Sequence, residues 1–409
     1  MSDKPVRQHG AMEFSKAPVD LNVVRQYRLE RVREQLRRRD YAGILLFDPL
    51  NTRYACDATN MQIWCTHYET RCLFVATEGP MVLFDYGDYP HLVEGLDLID
   101  EYCVHHSSYY FAVADRSDEK AGLFADDIAD LVARHWAGNR RLAIDALSYP
   151  GSRALLDRGL TIHDGQQVME LARVIKSDEE LVLMQTSIDV CETAMAEMHQ
   201  ALVPGITENA LWSILHQKNI ELGGEWIETR LLSSGERTQP WFRECSMRPI
   251  AEGDLVSFYT DLIGPYGYCA DISRSWLCGD VPPTAEQKRI YQLAVAQIEY
   301  NKALIKPGVS YRELSQNAWP IPEEFVQNRY SVLMHGVGLA DESPSIKHWC
   351  DFEASGYDGV VEAGMTLCVE SYIGSERSDM GVKLEEQVLV TEDGIRQLSH
   401  YPMEEVLMA

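Results

Sequence analysis

The C-terminal half of the chain places charged residues inside short apolar segments that resemble strands, and few folds tolerate this. Leu255–Asp261 and Tyr268–Leu277 are two such segments, and they flank a turn at Gly264–Gly267. This pattern predicts a hairpin with Asp261 and Asp271 opposite each other. Two facing carboxylates in apolar strands repel each other strongly, and a divalent metal ion would neutralise them. Taken alone, the pair fits equally well on a solvated strand face.

Three more charged residues extend this pattern. His335 follows an apolar segment and precedes a glycine-rich turn in LMHGVGLADESP, Glu370 lies in MTLCVESY, and Glu385 lies in GVKLEEQVLV. A lone buried histidine is usually a core residue, and a lone strand glutamate is usually exposed. Two aspartates, one histidine and two glutamates in this order instead predict one metal centre. Carboxylates with one imidazole suit Mn, Fe, Co or Zn, and carboxylates commonly bridge two such ions.

The N-terminal part alternates predicted strands and helices, which is typical of an α/β domain. The predicted elements, in chain order, are a helix over 22–40, a buried strand within Tyr41–Cys56 that Asp48-Pro49 and a turn close, strands at Cys72–Ala76 and Met81–Phe84, a helix near 121–136, and a strand at Leu142–Asp145.

The pattern changes near residue 170. Residues 168–205 predict one long helical stretch that Pro204-Gly205 ends. The 409 residues exceed one ordinary domain, so we expect an N-terminal domain over 1–170 and a C-terminal domain over 171–409. Thr284 and Gln287 resemble a capping box, which predicts a further helix that runs to Lys306.

Composition excludes several classes of partner. The formal net charge of −26 disfavours binding to nucleic acid or to an anionic membrane. The first ten residues, MSDKPVRQHG, lack the apolar core of a signal peptide, and no stretch is long and apolar enough to span a membrane. Ten scattered cysteines without a C-x-x-C pair are typical of reduced, buried thiols. Together these observations predict a cytoplasmic protein.

The order Asp, Asp, His, Glu, Glu resembles that of the creatinase, prolidase and methionine aminopeptidase superfamily. RVIKSDEEL, SSGERTQPW, EGDLVSF, HGVGL and LEEQVLVTEDG resemble its C-terminal domain, and FDPLNTRYA resembles its smaller N-terminal domain. The resemblance implies an N-terminal creatinase-like α/β domain and a C-terminal pita-bread metalloenzyme domain, an α+β fold. It also implies a homodimer, because the N-terminal domain of one subunit often covers the active site of the other in this superfamily.

Several positions depart from the peptidases of this superfamily. Pro240-Trp241 stands where a Pro-His pair is usual, and Asp341 precedes Glu342 where a second histidine is usual. Asp261 and Asp271 are one residue closer than is usual. The missing histidines normally assist amide hydrolysis, so this pattern disfavours a peptidase.

The altered pattern is similar to that of dimethylsulfoniopropionate lyases built on the pita-bread fold. This resemblance implies two divalent metal ions, iron in the first instance with Mn, Co, Zn or Ni as alternatives, and a small zwitterionic substrate. It implies Asp341 as the catalytic base and Tyr330 as its companion. That family would have a further acidic residue two positions before Asp261, where this chain has Tyr259. Strand alternation places Tyr259 on the face of Asp261, beside the metal site.

A sulfonium group needs aromatic faces around it. Trp241, and Trp64, Tyr109 and Tyr110 from the N-terminal domain, are the candidates, although each of them could simply pack in the core. Two rival functions remain. One is an Xaa-Pro dipeptidase or aminopeptidase, or another small-amide hydrolase, on the same metal centre. The other is a non-catalytic scaffold, which we would expect to have lost metal ligands that this chain keeps.

Overall fold

The computed structural model describes residues 18–135, 138–375, 377 and 379–409. The chain has two domains, each with mixed α/β architecture. The N-terminal segment considered above as a possible leader, and residue 136 at the end of a predicted helix, lie outside the described residues. Among the helices that the structure describes, none is long and apolar enough to cross a membrane. All ten cysteines are free of disulfide bonds, as predicted.

The N-terminal domain is built on a six-stranded sheet in the order β4-β3-β2-β1-β5-β6. Pairing is antiparallel from β1 to β2 to β3 and parallel elsewhere. Its strands are β1 Gly43–Leu46, β2 Cys72–Ala76, β3 Met81–Asp85, β4 Glu101–Val104, β5 Arg141–Ile144 and β6 Thr161–Asp164. Its helices are α1 Leu21–Arg38, α2 Pro49–Cys56, α3 Gln62–Cys65, α4 Tyr110–Val113, α5 Ser117–His135, α6 Tyr149–Asp157 and α7 Gln166–Arg173.

One local prediction in this domain was wrong. Asp48-Pro49 was predicted to close the first strand in a turn, but it begins helix α2. The Asp48 carboxylate accepts a hydrogen bond from the Leu50 backbone N–H at 2.8 Å, and Pro49 occupies the first helical position. Both features are typical of helix starts, because they satisfy or remove unpaired N–H groups. The segment that follows the first strand is therefore a capped helix rather than a simple turn.

The long helical stretch predicted over residues 168–205 is also wrong, because it is divided into two helices. Helix α7 ends at Arg173, and α8 begins at Asp178. Ser177 caps α8 in a capping box with Glu180, in which each side chain accepts a hydrogen bond from the other residue's backbone N–H. This S-x-x-E signal is present in the sequence and marks a helix start. Residues 174–177 separate the two helices.

The C-terminal domain contains two three-stranded sheets, β11-β10-β7 and β12-β9-β8, and one five-stranded sheet, β14-β13-β15-β16-β17. Its strands are β7 Trp226–Ile227, β8 Leu232–Ser234, β9 Leu255–Tyr259, β10 Leu262–Ile263, β11 Cys269–Ala270, β12 Ser273–Leu277, β13 Val332–Val337, β14 Asp341–Lys347, β15 Thr366–Ser375, β16 Met380–Val390 and β17 Ile395–Gln397. Its helices are α8 Asp178–Ala201, α9 Glu208–Glu221, α10 Ala285–Leu304, α11 Tyr311–Gln316, α12 Glu323–Val326, α13 Trp349–Ser355 and α14 Glu405–Met408.

The long strands β15 and β16 form the centre of this domain. They pair antiparallel over their whole length, and their alternate apolar side chains pack against helix α10. The predicted capping box at Thr284 and Gln287 is confirmed at the start of α10, which ends at Leu304, two residues before the predicted end. The opposite face of the two strands carries polar side chains that are also buried. A buried polar face needs partners for its hydrogen-bonding groups, and it therefore marks the place to look for a site.

Candidate metal centre and active site

The predicted hairpin is present, with one irregularity. Leu262 pairs with Ala270 and Tyr259 pairs with Ser273 in a single register, which places Asp261 opposite Asp271. The ladder is interrupted between these pairs, and Asp261 has a positive φ of 37°. A non-glycine residue in this region is uncommon, and aspartate is among the residues that tolerate it best. The interruption turns both carboxylates toward the polar face of the five-stranded sheet.

The structure brings all five predicted ligands together. Glu370 on β15 and Glu385 on β16 are directly paired. His335 was predicted to follow a strand, but it lies inside β13, where it pairs with Cys368. All five side chains are buried, and the most exposed of them, His335, retains only 6% of its accessible surface. Their role as metal ligands remains a prediction.

His335 lies at the centre of the group. Its Nε2 atom is 3.5 Å from Asp271 Oδ2, 3.5 Å from Glu370 Oε1 and 3.4 Å from Glu385 Oε1. Its Nδ1 atom is 3.0 Å from the Gly336 carbonyl oxygen. A proton on Nδ1 donates to that carbonyl and leaves the Nε2 lone pair free, which is the arrangement that metal-binding histidines commonly show.

The atoms that face this point have no hydrogen-bond partner. Both oxygens of Asp271, Nε2 of His335, and one oxygen each of Glu370 and Glu385 are buried and unpaired. Leaving several buried acceptors unpaired is costly, because each of them loses its hydrogen bonds to water. One divalent cation would satisfy all of them at once, so the residues present fit a metal ion.

The pKa shifts of the carboxyl groups are consistent with this close packing of acidic side chains. Burial raises the pKa of Asp271 well above its usual value, and the Glu385 carboxylate adds to the effect. Burial also raises the pKa of Asp261, and Asp341 contributes next. Burial is the largest single influence on Glu385 and acts to raise its pKa, but the Lys383 ammonium, His335 and Asp271 together outweigh it, so the pKa is lowered to about 2. Without a metal ion, the group therefore contains more carboxylate than its own cations can balance.

Lys383 is a member of this site that the sequence analysis missed. Its Nζ atom donates to Glu370 Oε2, and it lies 3.1 Å from both Glu385 Oε2 and Ser273 Oγ. The side chain is fully buried. Lys383 precedes Glu385 by two residues, and strand alternation therefore places both side chains on one face. That spacing in GVKLEE was the available signal.

A second group of carboxylates adjoins the first. Ligand atoms of Asp261, Asp271 and Asp341 lie within 4.8 Å of one another. Asp341 begins strand β14 and is 52% exposed, and its Oδ1 atom is 3.6 Å from His335 Nδ1. The Tyr259 hydroxyl is placed to donate to Asp341 Oδ2 at 3.5 Å. Tyr259 therefore borders the site without supplying a carboxylate.

Aromatic rings cover one side of the two groups. We call Trp241, Phe242, Tyr259, Tyr330 and Tyr372 the aromatic wall. The rings of Trp241 and Tyr372 are 5.7 Å apart, and those of Phe242 and Tyr330 are 5.5 Å apart. Lys383 Nζ lies 4.9 Å from the centre of the Tyr259 ring and 5.5 Å from that of Tyr330. The sequence analysis named Trp241 and Tyr330 but missed Phe242 and Tyr372, which carry no motif.

The three aromatic candidates of the N-terminal domain lie elsewhere. The Trp64 ring packs on Tyr68 at 4.5 Å, and Tyr68 in turn contacts Tyr109 at 5.3 Å. Tyr110 is 66% exposed. All of these ring contacts are within the N-terminal domain, so a single chain does not bring Trp64, Tyr109 or Tyr110 into the aromatic wall.

A cavity of about 440 Å³ opens onto the site. Tyr330, His335 and Asp341 are among the residues that line it, together with Glu170 and Tyr357. This volume suits a small ligand. The half-exposed Asp341 carboxylate is thus accessible from the cavity, whereas Glu370 and Glu385 are buried and do not line it.

A buried ion network holds the strand that carries Asp341. Glu342 lies 3.1 Å from Arg173 Nε and 2.8 Å from Lys176 Nζ, and it accepts a hydrogen bond from the Leu339 backbone N–H at 3.0 Å. Glu170, on helix α7, accepts from the Ser343 backbone N–H at 2.8 Å. These contacts tie the residues on both sides of Asp341 and Glu342 to the segment that links the domains.

Comparison with known proteins agrees with this arrangement. Residues 182–392 match the model of metallopeptidase family M24, and residues 28–175 match the model of the creatinase/prolidase N-terminal domain. The chain therefore belongs to metallopeptidase family M24, with a creatinase-type N-terminal domain. Solved structures share the fold. A Bacillus anthracis Xaa-Pro dipeptidase superposes with a TM-score of 0.75 at 21% identity, over 93% of this chain and 99% of that one.

Within this family, the chain is similar to two dimethylsulfoniopropionate lyases, called DddP. The proteins from Roseobacter denitrificans and Roseovarius nubinhibens are each 43% identical over 394 residues, which cover 95% of this chain and 88% of each relative. A Pyrococcus furiosus Xaa-Pro dipeptidase is 28% identical to this chain over 238 residues, which cover 57% of this chain and 65% of that protein. The lyases thus match a larger part of the chain at higher identity.

Proposed function

We propose that the chain is a metal-dependent carbon–sulfur lyase, which cleaves dimethylsulfoniopropionate to dimethyl sulfide and acrylate by β-elimination. The observation that carries this proposal is that a half-exposed carboxylate, Asp341, lines the cavity beside the buried candidate ligands. His335 is the one imidazole in the two ligand groups of the described chain. A carboxylate suits proton abstraction, whereas amide hydrolysis in this family would use further imidazoles. The 43% identity to two lyases supports the same reaction.

The proposed metal centre consists of Asp261, Asp271, His335, Glu370 and Glu385. We propose two divalent ions, iron in the first instance, with Mn, Co, Zn or Ni as alternatives, since carboxylates and one imidazole accept all of them. A bound ion would supply Lewis-acid stabilisation for the negative charge that develops next to the substrate carboxylate. Lys383 holds Glu370 and Glu385 by their second oxygens, so that their free oxygens face the ion.

Asp341 accepts the proton from the carbon next to the substrate carboxylate. The electron pair of that C–H bond forms the new double bond, and the carbon–sulfur bond breaks with its pair on sulfur. Neutral dimethyl sulfide leaves, acrylate remains, and Asp341 holds the proton until water removes it. Tyr330 lines the cavity together with His335. The aromatic wall offers ring faces to the sulfonium group, which cannot accept hydrogen bonds.

We further propose that the enzyme acts as a cytoplasmic homodimer. Trp64, Tyr109 and Tyr110 would then contribute aromatic faces to the site of the partner subunit. This is compatible with their burial, because Tyr110 is exposed and Trp64 and Tyr109 are half-buried. Light scattering coupled to size-exclusion chromatography would test the dimer. A monomeric mass with full activity would refute this part of the proposal.

The reaction is tested by headspace gas chromatography of metal-loaded protein supplied with dimethylsulfoniopropionate. We expect dimethyl sulfide and acrylate in equal amounts, and a loss of turnover of about 100- to 10,000-fold in Asp341→Asn. Asp157→Asn, a change at a carboxylate that is 62% exposed in the N-terminal domain, is the matched control and should retain activity. Full turnover in Asp341→Asn would show that another group is the base.

A second candidate function is hydrolysis of Xaa-Pro dipeptides or another small amide. Membership of family M24 and the similarity to an Xaa-Pro dipeptidase favour it. The same protein sample should be given Xaa-Pro dipeptides in parallel. Cleavage of a dipeptide without any dimethyl sulfide would replace the lyase by this function.

A further inference from the structure

The five rings of the aromatic wall differ in how much of each a ligand can reach. Trp241, Tyr259 and Tyr372 are buried and retain at most 9% of their accessible surface. Tyr330 is half-buried and lines the cavity, whereas Phe242 is 59% exposed. A ligand that arrives from solvent therefore reaches the rings of Phe242 and Tyr330 before it reaches the other three.

Lys383 already engages two of these rings. Its Nζ atom lies 4.9 Å from the centre of the Tyr259 ring and 5.5 Å from that of Tyr330. Within the part of the chain that the structure describes, it lies over no other ring of the wall. A second cation on Tyr259 or Tyr330 would share a ring with a buried ammonium and would be repelled by it. Tyr330 is therefore a poor contact for a cation, although it can be reached.

The backbone of Phe242 is in an unusual conformation. Its φ angle is +72°, which is uncommon for a bulky side chain and is maintained only where the surroundings fix it. Both flanks of the segment are anchored. The Tyr372 hydroxyl donates to the Thr238 carbonyl oxygen at 2.7 Å, and the Cys245 backbone N–H donates to the Arg230 carbonyl oxygen at 2.8 Å. The exposed ring is thus carried by a short segment that is held on both sides.

Phe242 lies at a corner formed by two other rings. Its ring centre is 5.5 Å from that of Tyr330, with 59° between the ring planes, and 6.3 Å from that of Trp241, with 44° between the planes. A single exposed apolar side chain needs no explanation. An exposed phenylalanine that is held at positive φ among tilted rings, next to a cavity, is a different case. Tilted rings around one point are typical of sites that recognise methylated cations.

We propose that Phe242 is the specificity-determining residue for the cationic end of the ligand. A small methylated cation, with its charge on sulfur or nitrogen, packs against the Phe242 ring with Trp241 beside it. The Lys383 ammonium keeps this cation away from Tyr259 and Tyr330, and it thereby fixes which end of a zwitterion faces the metal centre. The identity of the natural ligand rests on the proposed lyase function, whereas the preference for a cation at Phe242 does not.

The test compares two ligands of equal shape by isothermal titration calorimetry on metal-loaded protein. One is 3-(trimethylammonio)propanoate, and the other is 4,4-dimethylpentanoate, in which a neutral carbon replaces the charged nitrogen. Both carry the same carboxylate. The ratio of their two dissociation constants therefore isolates the interaction of the protein with the positive charge.

Variants at position 242 locate that interaction. Phe242→Leu keeps an apolar side chain but removes the ring, so the preference for the cation should fall about tenfold. Phe242→Tyr should keep the wild-type preference. Tyr300→Leu, a change at a ring that is 46% exposed on helix α10, is the matched control and should also keep it. An unchanged preference in Phe242→Leu, or a loss in Tyr330→Leu alone, would overturn the proposal.

Phe242→Trp tests the same contact in the opposite direction, and it replaces Phe242→Leu if that variant does not fold. An indole ring binds cations more strongly than a phenyl ring, so the preference for the cation should increase. A preference that stays the same or falls in this variant would contradict the assignment.

The two proposals fail in different ways. A preference that falls in Phe242→Leu, in a protein that releases no dimethyl sulfide, would refute the lyase and leave the cation contact intact. Dimethyl sulfide production with the same preference in wild type and Phe242→Leu would refute the cation contact alone. If both hold, Phe242→Leu should raise KM for dimethylsulfoniopropionate about tenfold and change kcat much less, because the ring binds the substrate but takes no part in proton transfer.

Discussion

The chain contains two clusters of buried charge, one around Glu342 and one around His335, and they differ in how their charges are paired. In the Glu342 cluster, Arg173 and Lys176 supply positive charge and the Leu339 N–H supplies a further hydrogen bond. In the metal cluster, Lys383 satisfies only the outward oxygens of Glu370 and Glu385, and the inward atoms have no partner. Burial is nearly complete in both.

The difference shows what buried charge can mean. A paired cluster fixes structure, because removing one partner leaves another charge without compensation. An unpaired cluster destabilises the protein until a ligand binds, and it therefore marks a site. Burial alone does not distinguish the two clusters. The number of buried side-chain atoms without a hydrogen-bond partner does, because among the described residues five such atoms lie in the metal cluster and one, Arg173 Nε, lies in the Glu342 cluster.

The largest expected effect is on the paired cluster. Glu342→Gln removes the negative charge that balances Lys176 and part of Arg173, and both of those side chains are 3% exposed. We expect a loss of about 3 kcal/mol in the free energy of unfolding. The loss should be the same with chelator and with saturating metal, because this cluster binds no ion. Urea unfolding monitored by tryptophan fluorescence measures it.

Glu353→Gln is the control for this experiment, since Glu353 pairs with Arg312 at the surface and is 81% exposed. It should leave the unfolding midpoint unchanged. A stability loss in Glu342→Gln that disappears on adding metal would mean that the paired cluster belongs to the metal site after all.

In the unpaired cluster, we expect a substitution to increase the free energy of unfolding of the metal-free protein. Asp271→Asn removes a buried carboxylate that accepts no hydrogen bond, and the new amide can donate to a neighbouring carboxylate. In metal-free protein near pH 8, we expect a gain of about 1 kcal/mol in the free energy of unfolding. With metal present, wild type should be the more stable protein, because the variant loses one of the proposed metal ligands.

The same urea unfolding, with and without chelator, checks this reversal. A variant that is less stable than wild type in chelator would show that Asp271 has compensation in the metal-free protein. The contrast between the two clusters would then be lost.

The sequence predicted much of this arrangement, but not its balance of charge. Aspartates, glutamates and one histidine in or beside apolar segments were enough to predict the hairpin and to select the five side chains that converge. The helix at Pro49 and the break before Asp178 were missed although both starts carry a cap that is visible in the sequence. These are local signals, and a closer reading would have found them.

Other features depend on contacts that no local pattern encodes. Lys383 is 13 residues from Glu370 in the chain, and only the β15–β16 register brings them together. Glu342 meets Lys176 across 166 residues. Phe242 and Tyr372 join the aromatic wall through loop and strand packing. Periodicity shows which face of a strand is buried, but the partner across that face follows from tertiary structure.

His348 is a third kind of buried titratable group, because it stays neutral in the folded protein near neutral pH. Its titration gives the smallest expected effect on stability. It is 1% exposed and caps helix α13, where its Nδ1 atom accepts a hydrogen bond from the Cys350 backbone N–H at 3.4 Å. Burial, assisted by the Arg329 guanidinium, lowers its pKa to about 4. Between about pH 6.5 and pH 4, His348 is therefore protonated in the unfolded chain but neutral in the folded chain.

Stability should accordingly fall as the pH decreases from about 6.5 toward 4, by about 1 kcal/mol at pH 5.5. His348→Asn keeps a capping side chain but removes the titrating group, so the difference in stability between wild type and variant should change by that amount between pH 7.5 and pH 5.5. The exposed His91→Asn is the control and should show no such change. A flat difference for His348→Asn would mean that the imidazole is protonated inside the fold. The cap would then be lost, because a charged ring cannot accept a hydrogen bond from the Cys350 backbone N–H.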